Sequence, residues 1–106
     1  MSRPDEARLR DILAAIETIR SHVDAGAFDR KTSDAVLYNL VVIGEAAGQL
    51  GEQTRSQALH IPWTSIVGLR NLIAHAYFRV DLDVIREIVS ESLDELEVAV
   101  RTMLGE

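Results

Sequence analysis

Cysteine is absent from this chain of 106 residues, which excludes disulfides and thiolate metal sites and fits a reducing compartment. Proline occurs only at Pro4 and Pro62, so the long stretches between are free to run as helix. Long apolar runs are missing too. The longest uncharged one, Ala35 to Gly44, is interrupted by Tyr38 and Asn39 and is too short to span a bilayer, and Met1–Glu6 has no apolar signal core. A basic excess is also lacking: seventeen acids against eleven bases leave a net charge of −6. That disfavours broad electrostatic attachment to nucleic acid and confines any phosphate contact to a local site. Lysine is nearly absent, with Lys31 the single one among arginines, so each cationic contact is offered by a fork-shaped guanidinium. These features predict a helical, soluble, cytoplasmic protein forming one domain over residues 1–106, small enough that a partner subunit would help its core.

Helical periodicity is abundant. Leu9, Ile12, Leu13, Ile16 and Ile19 recur at helical spacing while Arg8, Arg10, Asp11, Glu17 and Arg20 fall elsewhere, which predicts an amphipathic helix over about residues 4–22. Asp24 to Phe28 reads as a connection with Gly26 as its stop. A second, more apolar helix is expected over about 30–51, with Val36, Leu37, Leu40, Val41, Ile43, Ala46, Ala47 and Leu50 covering more than half its circumference. Such a helix belongs at the centre, buried on two sides. Gly44 and Gly48, four apart, would let another helix approach it closely. Gly51 to His60 reads as a polar connection. A third helix starts near Pro62 and carries Ile66, Leu69, Ile73 and Ala76 as its apolar stripe. A fourth is capped by Asp81 and carries Leu82, Ile85, Ile88, Val89, Leu93, Leu96, Val100 and Leu104 as its apolar set; Glu87, Glu91, Asp94, Glu95 and Glu97 read as a solvated face. The expected fold is all-α, an antiparallel bundle of four to five helices.

The third helix holds the most informative stretch, Gly68 to Tyr77, where Arg70, Asn71, His75 and Tyr77 interrupt an apolar sequence. At about 100° per residue, Arg70 and His75 lie about 140° apart in projection, too far round to share one face. A loosened turn at Arg70, or a second copy of the helix related by a two-fold axis, would bring both to one cleft, and the spacing suggests a composite site at the seam of a homodimer. The residue types suit RNA cleavage by its own 2′-hydroxyl. Histidine can serve as base or acid near neutrality, and arginine can grip two phosphate oxygens. No metal or other cofactor is required. Glu45 is either a paired or exposed acid on the second helix or a group that orients Arg70 or His75. Trp63 reads as a core anchor, Tyr77 as an aromatic at a helix end, Arg79 as a charge in a turn, and His22 and His60 as incidental.

Arg70-Asn71-Leu72-Ile73-Ala74-His75-Ala76-Tyr77 resembles the R-x4-H-x-Y motif of HEPN-domain ribonucleases, specifically the HepT-like family. The resemblance extends to Asp11-Ile12-Leu13, Phe28, Ala35-Val36, Asn39-Leu40, Ile43-Gly44-Glu45-Ala46, Ile61-Pro62-Trp63 and the Tyr77-Phe78 and Val80-Asp81-Leu82 pairs that follow. It implies a HEPN-like helical fold and the toxin of a type VII toxin-antitoxin module, a homodimeric, metal-independent endoribonuclease. Its implied partner is a minimal nucleotidyltransferase antitoxin of the MntA kind. Carried over residue by residue, Arg70 and His75 match the catalytic pair, Asn71 the polar residue after the arginine, and Tyr77 the tyrosine that receives AMP from ATP. AMP on Tyr77 would add bulk and negative charge where RNA phosphate must bind. The competing class is a non-catalytic helical module that binds a nucleotidyltransferase or its substrate; RNA left intact in EDTA beside tight transferase binding would select it.

Overall fold

The computed structural model describes residues 1–24 and 28–106. Gly26, expected to stop the first helix, lies outside them. Helix α1 spans Arg3–Asp24 and buries Leu9, Ile12, Leu13, Ile16 and Ile19, the stripe that periodicity predicts. Helix α2 spans Arg30–Gly48. Its N-terminus is capped by Asp29, whose carboxylate accepts from the Thr32 amide at 2.8 Å. The Thr32 amide holds the Asp29 carboxyl below its ordinary range, with the Thr32 hydroxyl adding to the effect. The helix stops at Gly48 rather than running to 51, because Gln49 turns its amide back onto the carbonyls of Ala46 and Ala47.

Residues 51–60 are not the bare connection expected from their polarity. They form a short helix α3, Glu52–Arg55, and a 3₁₀ turn, Ser56–Ala58. Partners far along the chain hold them. The buried Asp5 carboxylate, on α1, accepts from the Gly51 amide at 3.2 Å and from the Thr54 hydroxyl. The Arg55 guanidinium donates to the Ala47 carbonyl at 2.8 Å, and the Trp63 indole N–H reaches the carbonyls of Ala58 and Arg55 at 3.1 and 3.2 Å. Trp63 is therefore the anchor expected of it. Asp5→Ala leaves the Thr54 hydroxyl and the Gly51 amide without their acceptor, and should lower stability by about 1–3 kcal/mol. A urea titration followed by circular dichroism checks it; an unchanged midpoint would show that water replaces the carboxylate at no cost.

Helix α4 spans Trp63–Ala76 and runs antiparallel to α2, with Gly44 against Arg70 and Ile66 and Gly48 against Val67. A β-carbon built on Gly44 would lie 2.2 Å from Cβ of Arg70, so the absent side chain sets the spacing of the two helices. A 3₁₀ turn, Tyr77–Arg79, follows. Asp81 then caps helix α5, Leu82–Glu87, accepting from the Asp83 amide at 2.9 Å. The fourth predicted helix is not uniform: a π turn, Ile88–Ser92, joins α5 to α6, Leu93–Met103.

Helix α6 lies antiparallel on α1, and its acidic face is only partly solvated. Arg20 reaches Asp94 at 2.6 Å and Glu97 at 3.0 Å, and Arg101 reaches Glu97 at 3.0 Å and Glu17 at 3.5 Å. At such exposure each pair contributes less than about 1 kcal/mol and mainly fixes register. The core is built from α1, α2 and α6, with Ile61, Trp63, Ile73 and Ile85 completing it. Among the described residues there is no strand, and no helix is long and apolar enough to cross a membrane. The fold is the expected all-α bundle, with α2 flanked by α1 and α4.

Candidate functional site

Helix α4 is the least covered of the long helices. It buries only Trp63 and Ile73, while Ile66, Leu69 and Ala76 of its predicted stripe are half-buried. Thr64, Gly68, Asn71 and His75, spaced four, three and four apart, form an exposed stripe on its outer side, with Leu72 beside it, half of its surface open. Arg70 points the other way, toward α2.

The Arg70 side chain is one-third exposed, and its base lies in the space left by Gly44. Its Nε stands 3.1 Å from Glu45 Oε2, a charge contact that misses hydrogen-bond alignment and leaves Nε without a hydrogen-bond partner. Glu45 is half exposed, so the pairing orients Arg70 more than it stabilises the fold. The Nη1 group donates to Asn71 Oδ1 at 3.0 Å. Among the described residues Nη2 has no partner. A planar fork held at one edge and open at the other is suited to a phosphate.

His75 lies in the last turn of α4, exposed, and its ring makes no hydrogen bond among the described residues. Among the described residues no hydrogen bond joins it to Arg70. Asn71 stands between them: it holds Arg70 through its amide oxygen and shares the exposed stripe with His75 one turn on. The Arg70–Asn71 bond thus ties the arginine to the face that carries the histidine.

Tyr77, 37% exposed, opens the 3₁₀ turn. Its hydroxyl donates to Asp34 Oδ1 on α2, and its ring stands edge-on to Phe78 with centroids 5.5 Å apart. The Asp34 hydrogen bond, with burial and the Asp34 charge adding to it, pushes the phenol above its ordinary pKa; Arg30 pulls weakly the other way. The phenol is therefore protonated at neutrality. An open cleft of about 370 Å³ adjoins it, lined by Arg30, Ser33, Asp34, Leu37, Tyr77 and Phe78. Phe78 is 91% exposed.

Asp34 is the member of this group that sequence reasoning misses. It lies 43 positions from Tyr77, and only the antiparallel pairing of α2 with α4 signals the contact. Arg79 is exposed, as expected of a charge in a turn. His22 is half-buried and His60 exposed, and neither ring hydrogen-bonds within the described residues. Among those residues no three His, Asp or Glu side chains gather as a metal site.

Comparison with known proteins gives a consistent picture. Residues 9–103 match the family described as "Ribonuclease HepT-like". A protein of Thermococcus cleftensis named "Probable ribonuclease HepT" is 33% identical over 102 residues, covering 92% of this chain and 93% of the relative. Proteins named "Putative RNase" from Caldanaerobacter subterraneus and Methanocaldococcus jannaschii are 32% and 31% identical, covering 91% and 92% of this chain and 90% and 94% of their own lengths. No solved structure matches significantly.

Proposed function

We propose, from the premise that this chain belongs to the ribonuclease HepT-like family, that it is a metal-independent endoribonuclease acting at a site shared by two copies of α4. The observation that carries this reading is the Arg70–Asn71 bond, which brings a guanidinium open at one edge to the same uncovered stripe as an exposed imidazole. A two-fold axis along that stripe pairs Gly68, Asn71 and Leu72 with their counterparts and sets Arg70 and His75 of both copies around one cleft. The small residues Thr64 and Gly68 permit close approach.

In that cleft one His75 takes the proton of the RNA 2′-hydroxyl as its oxygen bonds to the adjacent phosphorus. The bond from phosphorus to the 5′-oxygen breaks, and a second imidazolium returns a proton to that oxygen. Arg70 stabilises the charge gathered on the phosphorane. The products are a 2′,3′-cyclic phosphate and a 5′-hydroxyl. Glu45 and Asn71 orient Arg70 and take no proton.

The biological setting that accords with this chemistry is the toxin of a type VII toxin-antitoxin pair, working in the cytoplasm. Its control is AMP transfer to Tyr77 by an MntA-like nucleotidyltransferase, which places an anionic phosphodiester in the turn directly after His75. The expected result is that purified protein cleaves RNA in EDTA, and that cleavage stops when the mass of the Tyr77 peptide rises by one AMP or more. RNA left intact in EDTA, together with a tight complex with the transferase, would select the non-catalytic binding module instead.

A further inference from the structure

The Tyr77 hydroxyl has a defined partner in the fold. That partner is the Asp34 carboxylate, which makes no other hydrogen bond or ion pair among the described residues. Asp34 is itself exposed, in the first half of α2, and both groups border the open cleft, so a nucleotide can reach the phenol without moving a helix. We propose that Asp34 accepts the phenolic proton of Tyr77 while AMP is transferred to that oxygen. This role rests on the modification reading above.

The Tyr77 oxygen attacks the α-phosphorus of ATP, a new oxygen–phosphorus bond forms, and the bond from that phosphorus to the bridging oxygen of pyrophosphate breaks. The phenolic proton moves to Asp34 Oδ1 and then to solvent, and pyrophosphate leaves. An acceptor is needed because the phenol, held protonated by this same contact, is a poor nucleophile at neutral pH. Once AMP is attached, the ester oxygen has no hydrogen to donate and the phosphodiester carries a negative charge facing the carboxylate. The modified side chain must leave Asp34, which cuts the tie between α2 and the turn after His75. Arg30, on the same helix and acting on the same phenol, offers the leaving phosphodiester a cation.

The test compares wild type, Asp34→Asn, Asp34→Glu and Tyr77→Phe, each incubated with the partner nucleotidyltransferase, magnesium and ATP between pH 6.5 and 9.5. AMP on the Tyr77 peptide is followed by mass. Base catalysis is worth about 10²–10⁴-fold, so Asp34→Asn should slow transfer by at least about 10²-fold at neutral pH. The deficit should shrink as pH rises and the phenol ionises unaided, with Asp34 and Arg30 the charged groups acting on it. Asp34→Glu should recover part of the rate, and helical content and RNA cleavage by unmodified protein should be unchanged in both variants. Transfer to Asp34→Asn at the wild-type rate, or faster, with the same pH profile would overturn the role; the faster result would make the contact a lock. If wild type acquires no AMP while Tyr77→Phe behaves identically, the modification reading falls and this role with it.

Discussion

His75→Ala should lower RNA cleavage by about 10²–10⁴-fold, the range that a positioned acid or base contributes, with no loss of stability. The second half of that expectation follows from the structure. His75 is exposed and its ring bonds to nothing among the described residues, so removing it costs the fold nothing. Arg70→Ala should be of similar severity, since removing one pre-positioned donor from a phosphorane costs about 10²–10³-fold. It will also loosen the α2–α4 contact, because the stem of Arg70 fills the gap at Gly44. Arg70→Lys separates the two effects: it keeps the stem and the charge and loses the planar fork, so stability should recover while cleavage stays depressed. Single-turnover cleavage of a fluorescent RNA in EDTA, beside a urea titration of each variant, measures both. Activity of His75→Ala within a few-fold of wild type would exclude the proposed chemistry.

Gly44→Ala should damage stability and activity together. The new methyl would lie 2.2 Å from Cβ of Arg70, 2.9 Å from its Cγ and 3.1 Å from the Ile66 carbonyl oxygen. Two of those three atoms are fixed by the α4 backbone, so the clash cannot be relieved by rotating a side chain and the helices must separate. Overpacking of this kind costs about 1–3 kcal/mol, against a gain of about 1 kcal/mol from replacing glycine inside a helix. Displacing Arg70 by about 1 Å relative to His75 can cost a further 10²-fold in rate. Gly48→Ala is the control. Its methyl would meet Val67 at 3.7 Å, an ordinary contact, so stability and cleavage should match wild type or improve slightly. A Gly44→Ala protein with an unchanged urea midpoint and full activity would show that the helix contact has slack that these distances deny.

The contrast between the two glycines shows what the sequence could and could not convey. Their four-residue spacing announced a close approach by another helix, and the approach is there, but nothing in the spacing says that Gly44 carries it and Gly48 hardly does. The α1 stripe from Leu9 to Ile19 was legible because one apolar face packs on one core, which periodicity reports directly. Helix α3 was not, since its acceptor is Asp5, 46 positions from Gly51, and polarity alone reads such a segment as loop. Asp94 and Glu97 looked solvated for the same reason: Arg20 comes to both of them from α1 through tertiary packing. At the site, residue types pointed to Arg70 and His75 and helix projection kept them apart. The bond that links Arg70 to the His75 stripe depends on a side-chain rotamer, and the Asp34–Tyr77 contact on the pairing of two helices. Neither is encoded in local pattern.

The π turn at Ile88–Ser92 solves a problem of phase. Ile85 and Leu93, both buried, are eight positions apart, and a regular helix would turn about 800° between them, some 80° past two full turns. A π turn takes up one additional residue, so the separation counts as seven, about 700°, and Ile85 comes into line with Leu93, Leu96 and Val100. Chain length and core alignment are thereby uncoupled at this one place. A chain shorter by a single residue between Ile88 and Ser92 would present the same buried stripe through an ordinary α-turn, whereas the same deletion in α1 or α2 would rotate half a helix out of the core.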